Sequence, residues 1–505
     1  MNIITYFRAY YTQKPLQCIL FVALLLRLVA AIFAKGYGMH DDHFLIIETS
    51  GSFAEGFDYN NWLPGSSGNE TPKGHSFFYM GLHYILFMVL NTFGMVSPDV
   101  KMYIVRIIHA VYSLSIVYFG YKIVTKYAGK QTGLQTAWLL AVLWFMPWLC
   151  VRNLVEIQCV PFLLWGIWLY IKKDNPTIKM IILSGLIAGI AFSIRFQAAF
   201  ILGGFGLSLL CLKQFKNAII WGISTLSSML FIQACIDFFI WGIPCVELIE
   251  YVRYNFISAN DYLKGSPLMY VYMILGLFIP PVSIFILWGF FARWRKYLIL
   301  FLPSFIFLLF HSLFINKQER FVLTIIPMVL ILGMIGWKEF MDIHLRSNWQ
   351  KNFVKWSWKF CLTINLILLC FVSVHYSKKA RVEAMLYLSK YKQIEHLAKI
   401  SDIPMLPMFY LGQFVSRLEI DKDQISSSAT ILKETAREPR FILLTDNRET
   451  PQIIDSLKLY FPDLVFEIKI KPSMIDHLMH LLNPEHNRNQ TLLIYRNQKY
   501  FPVKR

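Results

Sequence analysis

Long apolar runs separated by short basic connections constrain this chain more than any other feature. Of its 505 residues, 56% are hydrophobic and only 16% are charged. A helix of about 20 apolar residues crosses a bilayer, and the runs recur near that length. Their predicted limits are 16–34, 103–121, 134–150, 157–171, 180–195, 198–212, 217–236, 268–290, 298–315, 321–337 and 358–376. The sequence therefore predicts an α-helical polytopic membrane protein with about eleven transmembrane helices.

The basic residues predict how the chain is oriented. A net charge of +18 would suit nucleic acid if it formed one patch. Here Lys and Arg lie in the connections between apolar runs, which is typical of membrane orientation, so no nucleic-acid partner is expected. If 76–94 is an interfacial or re-entrant helix, these connections fall on the cytoplasmic side; if it crosses, the later ones move outside. We therefore expect a cytoplasmic N-terminus and a large first outer loop over 36–101, with interfacial helices.

The composition changes near residue 377 and predicts two domains. Residues 1–376 are expected to form the transmembrane domain and 377–505 a small extracytoplasmic α/β domain. In the latter, 440–446, 464–470 and 491–495 have strand character, and helices are expected near 451–460 and 473–482. The eight Cys all precede this region and show no disulfide framework. No glycine-rich phosphate loop or nucleophile elbow appears in it.

Three carboxylates follow the first apolar run, at Asp41, Asp42 and Glu48. Carboxylates at the mouth of a membrane helix are costly unless they face water or a polar cavity, so they indicate a functional site. One of the two aspartates can take a proton from an acceptor hydroxyl while the other orients a neighbour. The alternative is that the pair only caps a helix starting near His43.

A second polar segment, 316–321, separates two predicted spans on the same outer side. Lys317 and Arg320 can hold a phosphate group, and arginine can do so with a two-pronged fork. Glu319 can neutralise or position one of these cations. The alternative is an ion-paired loop end without a ligand.

Further polar residues lie at predicted outer span ends and in a long loop. Charged residues at or near the span ends are Arg106, Arg152, Glu156 and Arg195. Any one of them can simply reach the head groups, but four on one face favour a shared pocket. The loop that follows Asp237, with Tyr254 and Asn255, suits a sugar or lipid head group, and it equally suits a membrane-interface belt.

At these residues the sequence resembles the GT-C class of membrane glycosyltransferases, and within it glycosyltransferase family 22. The family's first-loop motif H-P-D-E-x-F-Q-x-x-E is matched by Asp41, Asp42, Phe44 and Glu48, with Asp42 in place of Glu. The later motif H-K-E-x-R-F is matched by the segment 316–321, where Asn316 replaces the motif's His and Gln318 replaces its Glu. The resemblance covers roughly 15–340. Its departures indicate a distant, bacterial member whose sugar need not be mannose.

The resemblance implies roles for the residues singled out above. The catalytic carboxylates would be Asp41 as general base, with Asp42 and Glu48 in support. The groups at the donor phosphate would be Lys317, Arg320, Glu319 and Arg195. Acceptor or supporting contacts would come from Arg106, Arg152, Glu156, Asp237, Tyr254 and Asn255.

The function that this resemblance implies is transfer of a sugar, mannose favoured, from a polyprenyl-phosphate donor. The acceptor would be an extracytoplasmic glycan or lipid, and the displacement would invert the sugar. Alternatives are transfer of another sugar or an aminosugar by a related GT-C enzyme, or a polytopic lipid-sugar transporter or flippase. No cofactor is expected beside the lipid-linked co-substrate. The histidines near the first loop lack metal-ligand spacing, so no metal site is predicted, and a divalent-ion requirement stays open.

The composition favours a bacterial cytoplasmic membrane with a periplasmic active site. The alternative is the endoplasmic reticulum membrane with a lumenal site, because sequons for N-glycosylation occur at Asn69 and Asn489.

Overall fold

The computed structural model describes residues 11–64, 71–258, 264–485 and 487–501. The chain divides into two compact units, the first formed by Met1–Phe33, Asn69–Leu82 and Val105–Val374, the second by Ala34–Gly68, His83–Ile104 and His375–Arg505. Most of the expected first outer loop thus groups with the C-terminal residues. The expected domain boundary at 376 stays a prediction, and the sequon at Asn69 lies outside the described residues.

The described chain is mainly helical. In chain order its α-helices are α1 (Pro15–Phe33), α2 (His40–His43), α3 (Thr49–Glu55), α4 (Phe77–Thr92), α5 (Pro98–Tyr112), α6 (Leu114–Val142), α7 (Met146–Cys150), α8 (Val155–Gln158), α9 (Val160–Ile171), α10 (Ile178–Ile194), α11 (Ala198–Cys211), α12 (Phe215–Trp241), α13 (Val246–Ile257), α14 (Met269–Leu277), α15 (Val282–Ala292), α16 (Leu298–Leu313), α17 (Ile326–His344), α18 (Asn348–Val372), α19 (Lys379–Leu388), α20 (Ile425–Glu434), α21 (Thr450–Tyr460) and α22 (Met474–Leu482).

Several helices have the length and composition of membrane spans. Those long and apolar enough to cross a bilayer are Pro15–Phe33, Pro98–Val142, Phe215–Trp241, Glu319–His344 and Asn348–Val372. Shorter apolar helices are Phe77–Thr92, Val155–Ile171, Ile178–Ile194, Ala198–Cys211, Val282–Ala292 and Leu298–Leu313. These segments confirm the predicted class, an α-helical polytopic membrane protein with a small C-terminal sheet domain. The interfacial position expected for 76–94 stays a prediction.

The connection expected between 121 and 134 contains a break. The range of α6 joins two helices that meet at Gly129, whose φ of 80° and ψ of 166° are not helical. A Cβ at Gly133 would lie 3.1 Å from the Tyr121 carbonyl oxygen, so the two helices pack against each other. Another predicted span is wrong. The span expected over 268–290 is interrupted between α14 and α15. Pro280 and Pro281 occupy the break, and proline supplies no backbone N–H to continue a helix.

Glycines allow α15 and α17 of the first unit to cross at close range. A Cβ at Gly336 would lie 2.0 Å from the carbonyl oxygen of Gly289, and a Cβ at Gly289 would lie 2.1 Å from that of Gly333. Small residues are typical of such crossings in membranes, where helices associate by close packing. The two backbones can approach this closely only because these side chains are absent.

Arg27, near the middle of α1, is fully buried and holds the ends of other helices of the first unit. Its guanidinium donates to the Ser113 hydroxyl at 3.0 Å and to the carbonyls of Leu140 and Ala141 at 3.2 and 3.4 Å. The two carbonyls belong to the last turn of α6, where helical partners are lacking. Arg27 therefore caps a helix from within the apolar interior.

The second unit contains a five-stranded sheet of order β2-β1-β3-β5-β4. Its strands are β1 (His396–Ile400), β2 (Ser416–Ile420), β3 (Phe441–Thr445), β4 (Leu464–Ile470) and β5 (Leu492–Asn497). Strands β1, β2 and β3 pair in parallel, and β5 is antiparallel to β3 and β4. The strands and helices predicted from 440 onwards are confirmed, while β1 and β2 were not anticipated.

The sequon asparagine of this unit is part of its interior. Asn489 is 5% exposed. Its side-chain oxygen accepts from Arg381 at 2.7 Å, and its amide nitrogen donates to Asp476 at 3.5 Å. A glycan on Asn489 would be incompatible with these contacts, so this sequon gives no support to a lumenal location.

Candidate functional site

Asp42 is the capping member of the acidic pair in the second unit. Its carboxylate accepts from the backbone N–H groups of Gly38 at 2.8 Å and Met39 at 3.2 Å, and the residue is 3% exposed. In a capping box the third residue of a helix accepts in this way from the backbone N–H at the helix start. The capping alternative therefore describes Asp42 in this structure, and its predicted supporting role in catalysis stays a prediction.

The other two carboxylates of the motif have different surroundings. The Asp41 side chain is 36% exposed, and its oxygen lies 3.5 Å from Nδ1 of His40. Glu48 is fully buried at the end of a π-helical turn, Phe44–Glu48, a rare geometry that often occurs at functional sites. It accepts from the Asn60 amide at 2.7 Å and from the Phe409 backbone N–H at 3.0 Å. Asp41 is therefore the carboxylate of the three that is open to solvent.

In the first unit the structure brings Glu156, Arg195 and Arg320 into one buried cluster. The Glu156 carboxylate oxygen Oε1 lies 3.7 Å from Arg195 Nη2 and 3.9 Å from Arg320 Nε. The second oxygen, Oε2, is buried and has no hydrogen-bond partner among the described residues. Arg320 also donates to the side-chain oxygen of Gln318 at 2.9 Å. One carboxylate oxygen thus lies within 4 Å of two guanidinium groups, which brings these two cations close together.

Further bonds fix Arg195 within this cluster. Its guanidinium donates to Gln197 Oε1 at 3.3 Å, to the Phe321 carbonyl at 3.2 Å and to the Thr324 hydroxyl. Thr324 in turn donates to the Glu156 carbonyl at 2.9 Å. The Phe307 ring centre lies 5.5 Å from the guanidinium carbon. Because several elements hold it, Arg195 presents its charge with little conformational freedom.

Lys317 closes the carboxyl end of α16. Its ammonium donates to the carbonyls of His311 at 2.6 Å, Ser312 at 2.8 Å and Phe314. A cation at the carboxyl end of a helix also interacts favourably with the helix dipole. The Glu319 side chain is exposed, and a carboxylate oxygen of Glu156 lies 3.9 Å from Arg320 Nε. The phosphate contacts predicted for Lys317 and Glu319 stay predictions.

Arg106 and Arg152 are buried but differ in their partners. Arg106 is 2% exposed and donates through Nε to the Ala31 carbonyl at 2.7 Å. Its two terminal nitrogens are buried without a hydrogen-bond partner among the described residues. Arg152 lies over the Trp148 ring at 4.4 Å. Arg106 therefore retains donors that can serve an anion or a hydroxyl.

Glu247 was not predicted, and it organises the segment that precedes α4. Its buried carboxylate accepts from the backbone N–H groups of residues 73–75 at 2.6 to 3.2 Å and from Trp241 Nε1 at 2.9 Å. Its own N–H donates to the carboxylate of Asp237 at 3.0 Å, which also accepts from Gln233 at 2.6 Å. Burial raises the pKa of the Glu247 carboxyl despite these bonds. An acidic residue in the first turn of a helix was the available sequence signal.

In the helix that carries the predicted Tyr254 and Asn255, Tyr251 lies against Phe196 with ring centres 5.1 Å apart. Burial raises the pKa of the Tyr251 phenol to about 12, so it stays protonated at neutral pH. Tyr254 is 42% exposed, and the Asn255 amide donates to the Tyr251 carbonyl at 2.8 Å. Tyr251 belongs to the aromatic segment predicted to suit a sugar or lipid head group, and it is a further candidate beside Tyr254 and Asn255.

No group of three or more His, Cys, Asp or Glu side chains within the described ranges is arranged to hold a metal ion. Chemistry in the described residues therefore has two visible centres. These are the acidic motif of the second unit and the Glu156 cluster of the first. Each combines carboxylates with fixed donors, and the Glu156 cluster adds positive charge.

The fold has solved relatives among membrane transferases. ArnT from Cupriavidus metallidurans, in a crystal structure bound to undecaprenyl phosphate, is similar with a TM-score of 0.61 and 12% identity over 95% of this chain and 97% of that one. The oligosaccharyltransferase AglB from Archaeoglobus fulgidus, in complex with an inhibitory peptide and a dolichol-phosphate, gives 0.51 and 12% over 92% and 74%. At such identities the likeness shows the fold alone, and it is the expected GT-C fold.

Sequence comparison identifies the family. No curated protein matches the chain in a sequence search. A profile of the Alg9-like mannosyltransferase family matches residues 18–410, which is most of the chain and includes both centres. The resemblance found at the two motifs is thereby confirmed. The chain belongs to the Alg9-like mannosyltransferase family and is a multi-pass membrane glycosyltransferase.

Proposed function

We propose that this glycosyltransferase moves a sugar, mannose favoured, from a polyprenyl-phosphate donor to a glycan or lipid acceptor outside the cytoplasm. Membership of a mannosyltransferase family supports the choice of sugar. The undecaprenyl phosphate bound to ArnT and the dolichol-phosphate bound to AglB support a lipid phosphate as the carrier. The two guanidinium groups beside Glu156 can bind an anionic donor.

We assign the general base to Asp41 because the three carboxylates of the first-loop motif differ in their exposure to solvent. Asp42 and Glu48 are 3% and 0% exposed and accept backbone hydrogen bonds, whereas the Asp41 side chain is 36% exposed. A general base must come within hydrogen-bond reach of the proton that it takes. Of the three carboxylates, Asp41 is the one whose exposure leaves it accessible to an acceptor hydroxyl, and Asp42 and Glu48 hold the turn that presents it.

Arg320 and Arg195 are proposed to contact the donor phosphate. Both lie within 4 Å of Glu156, which keeps their positive charges close together. Lys317, engaged with carbonyls, adds charge at the same segment. Arg106 offers two further buried donors. Groups fixed before the reaction stabilise developing charge most effectively, and Arg195 is fixed in this way.

The proposed reaction is a single displacement at the anomeric carbon. Asp41 takes the proton of the acceptor hydroxyl, whose oxygen forms a bond to the anomeric carbon of the donor sugar. The bond from that carbon to the phosphate oxygen breaks, and the lipid phosphate leaves with the electron pair. Attack from the opposite face inverts the configuration. The arginines stabilise the negative charge that grows on the leaving phosphate.

The remaining predicted residues are proposed to support the acceptor side. Asp237 acts through Glu247 on the segment 73–75. Arg152, Tyr254 and Asn255 are assigned to the acceptor by resemblance. We further propose a bacterial cytoplasmic membrane with the reaction at its outer face, as the distribution of Lys and Arg indicates.

The test is transfer from radiolabelled polyprenyl-phosphate mannose in membranes, with the wild type compared with Asp41→Asn. Polyprenyl-phosphate glucose and an aminosugar donor are run beside it. Asp463→Asn, an exposed aspartate of the C-terminal sheet domain, is the matched control for the loss of one carboxylate. We expect Asp41→Asn to lower the rate on the order of a hundredfold to ten-thousandfold, and Asp463→Asn to leave it unchanged.

The outcomes separate the parts of the proposal. If glucose or an aminosugar is transferred in place of mannose, the choice of sugar is wrong and the donor class stands. If Asp41→Asn matches the wild type, the base assignment is wrong. If no lipid-linked donor supports transfer, the donor class itself is refuted.

A further inference from the structure

The short 3₁₀ helix Met408–Leu411, which lies between β1 and β2, contacts the first-loop motif. The backbone N–H of Phe409 donates to Glu48 at 3.0 Å, across 361 residues of sequence. The Glu48 carboxylate is fully buried and also accepts from Asn60 at 2.7 Å. A buried carboxylate is costly unless hydrogen bonds compensate it. The sheet domain thus supplies one of the bonds that allow Glu48 to stay where it is.

A ring stack continues this contact toward Asp41. The His43 imidazole is sandwiched between Tyr410, at 5.2 Å with an interplanar angle of 6°, and Tyr37, at 4.9 Å and 22°. His43 is 1% exposed, and its Nε2 lies 3.4 Å from Glu48 Oε1. His43 and Asp41 share the single turn of α2. Fixing the imidazole therefore fixes the turn from which the Asp41 carboxylate projects.

A second attachment holds the other side of the same turn. The Ser377 hydroxyl donates to the Tyr37 carbonyl at 2.7 Å, and the Ser377 N–H donates to the Lys35 carbonyl at 3.1 Å. The approach at Gly36 is so close that a Cβ there would lie 1.8 Å from the Ser377 carbonyl oxygen. Attachments at 35–37 and at 43–48 lie before and after Asp41 in the sequence. Asp41 itself remains partly exposed between them.

We propose that Tyr410, with the Phe409 N–H beside it, is a positioning residue for Asp41. The inference rests on the proposed function, because it assumes that the Asp41 carboxylate takes the acceptor proton. The sheet domain is then part of the catalytic apparatus, and its contribution is to hold the α2 turn. Tyr410 acts through His43 and the backbone of that turn. Misplacement of a reacting group by about 1 Å costs on the order of a hundredfold in rate.

The test is a double-mutant cycle in the full-length enzyme. Tyr410→Ala removes the stacked ring, Tyr410→Phe keeps it, and Phe466→Ala removes an exposed ring of β4 as the matched control. Each is made in the wild type and in Asp41→Asn. Transfer rates are measured at saturating and at limiting donor, and detergent-solubilised samples are checked for folding by thermal unfolding. Tyr410→Leu replaces the alanine variant if that variant does not fold.

We expect Tyr410→Ala to lower the saturated rate on the order of tenfold to a hundredfold, with little change in donor KM. Tyr410→Phe and Phe466→Ala should match the wild type. In the Asp41→Asn background, Tyr410→Ala should have almost no further effect, because the carboxylate that it positions is already absent.

The contrary outcomes are distinct. Equal losses from Tyr410→Ala in both backgrounds would show a general structural role and overturn the inference. Wild-type activity of Tyr410→Ala, together with a severe loss in Asp41→Asn, would refute the inference and leave the base assignment intact. Wild-type activity of Asp41→Asn would refute the base assignment, and with it the inference.

Discussion

Replacing Arg27 with methionine should destabilise the membrane helices without touching the proposed chemistry. The substitution keeps a long side chain of similar volume and removes the guanidinium. In the native structure the guanidinium donates hydrogen bonds to the Ser113 hydroxyl and to two carbonyls in the last turn of α6. Cys150 Sγ lies 3.6 Å from the same group. All of these partners are in the first unit.

The size of the effect follows from the partners left behind. The carbonyls of Leu140 and Ala141 would lose the donor that caps them, and each buried unsatisfied acceptor costs about 1–3 kcal/mol. Removing a buried charge returns part of this, because the charge itself is costly to desolvate. We therefore expect Arg27→Met to lower the free energy of unfolding by about 2–4 kcal/mol. Arg27→Lys keeps the charge without the planar guanidinium, so its free energy of unfolding should lie between those of the wild type and Arg27→Met.

The measurement is reversible unfolding in mixed micelles of increasing denaturing detergent, followed by the tryptophan signal. Arg346→Met, at an exposed arginine, is the matched control and should behave as the wild type. Transfer activity per folded Arg27→Met molecule should be unchanged. If Arg27→Met unfolds within about 0.5 kcal/mol of the wild type, as a neutral surface change would, then the capping of α6 by Arg27 is not what stabilises these helices.

Three further predictions concern other parts of the first unit. Glu156→Gln should raise the donor KM in the transfer assay about tenfold, or about 1.4 kcal/mol of binding free energy, because the two arginines lose the carboxylate that holds them together. Asp174→Asn, at an exposed carboxylate, should leave the donor KM unchanged, and equal effects of the two variants would contradict the cluster. Gly289→Ala should prevent normal packing of α15 on α17, because its Cβ would lie 2.1 Å from a carbonyl oxygen, whereas Gly203→Ala, with open space around it, should give wild-type yields of folded protein. Glu247→Ala should make the amide hydrogens of segment 73–75 exchange faster, because three N–H groups lose their acceptor. The control is Glu250→Ala, which removes an i,i+3 partner of Arg253. Unchanged amide protection in Glu247→Ala would refute this role of Glu247.

Local patterns predicted the local parts of this fold. The length of the apolar runs identified the membrane helices. The succession of strand-like and helix-like segments after residue 440 identified β3, β4 and β5 with the helices between them. The interruption between α14 and α15 was readable in Pro280 and Pro281, which cannot continue a helix. Arg27 was readable too, because a charge in the middle of an apolar span needs a partner. In both cases a single residue carries the signal, within a longer pattern of apolar residues that masks it.

Contacts between distant segments could not be predicted in the same way. The sequence marked Glu48 as a supporting carboxylate, but nothing in its neighbourhood indicated that Phe409 would donate to it. The resemblance implied different roles for Asp41 and Asp42, but nothing in the sequence indicated that Asp42 would be buried while Asp41 stays partly exposed. Likewise Glu156, whose carboxylate meets both Arg195 and Arg320, was one of several span-end charges. Convergence of span ends in space is decided by helix packing, which local composition does not report.

The bond between Glu48 and Phe409 has a consequence for biosynthesis. The two residues are 361 positions apart, and a ribosome adds about 5–20 residues per second. The acidic turn therefore leaves the ribosome about 20–70 s before its partner has been made. During that interval the membrane helices can insert while Glu48 has no Phe409 to accept from. The enzyme would thus acquire its arranged acidic turn only late in synthesis, so that unfinished chains in the membrane would consume the lipid-linked donor slowly.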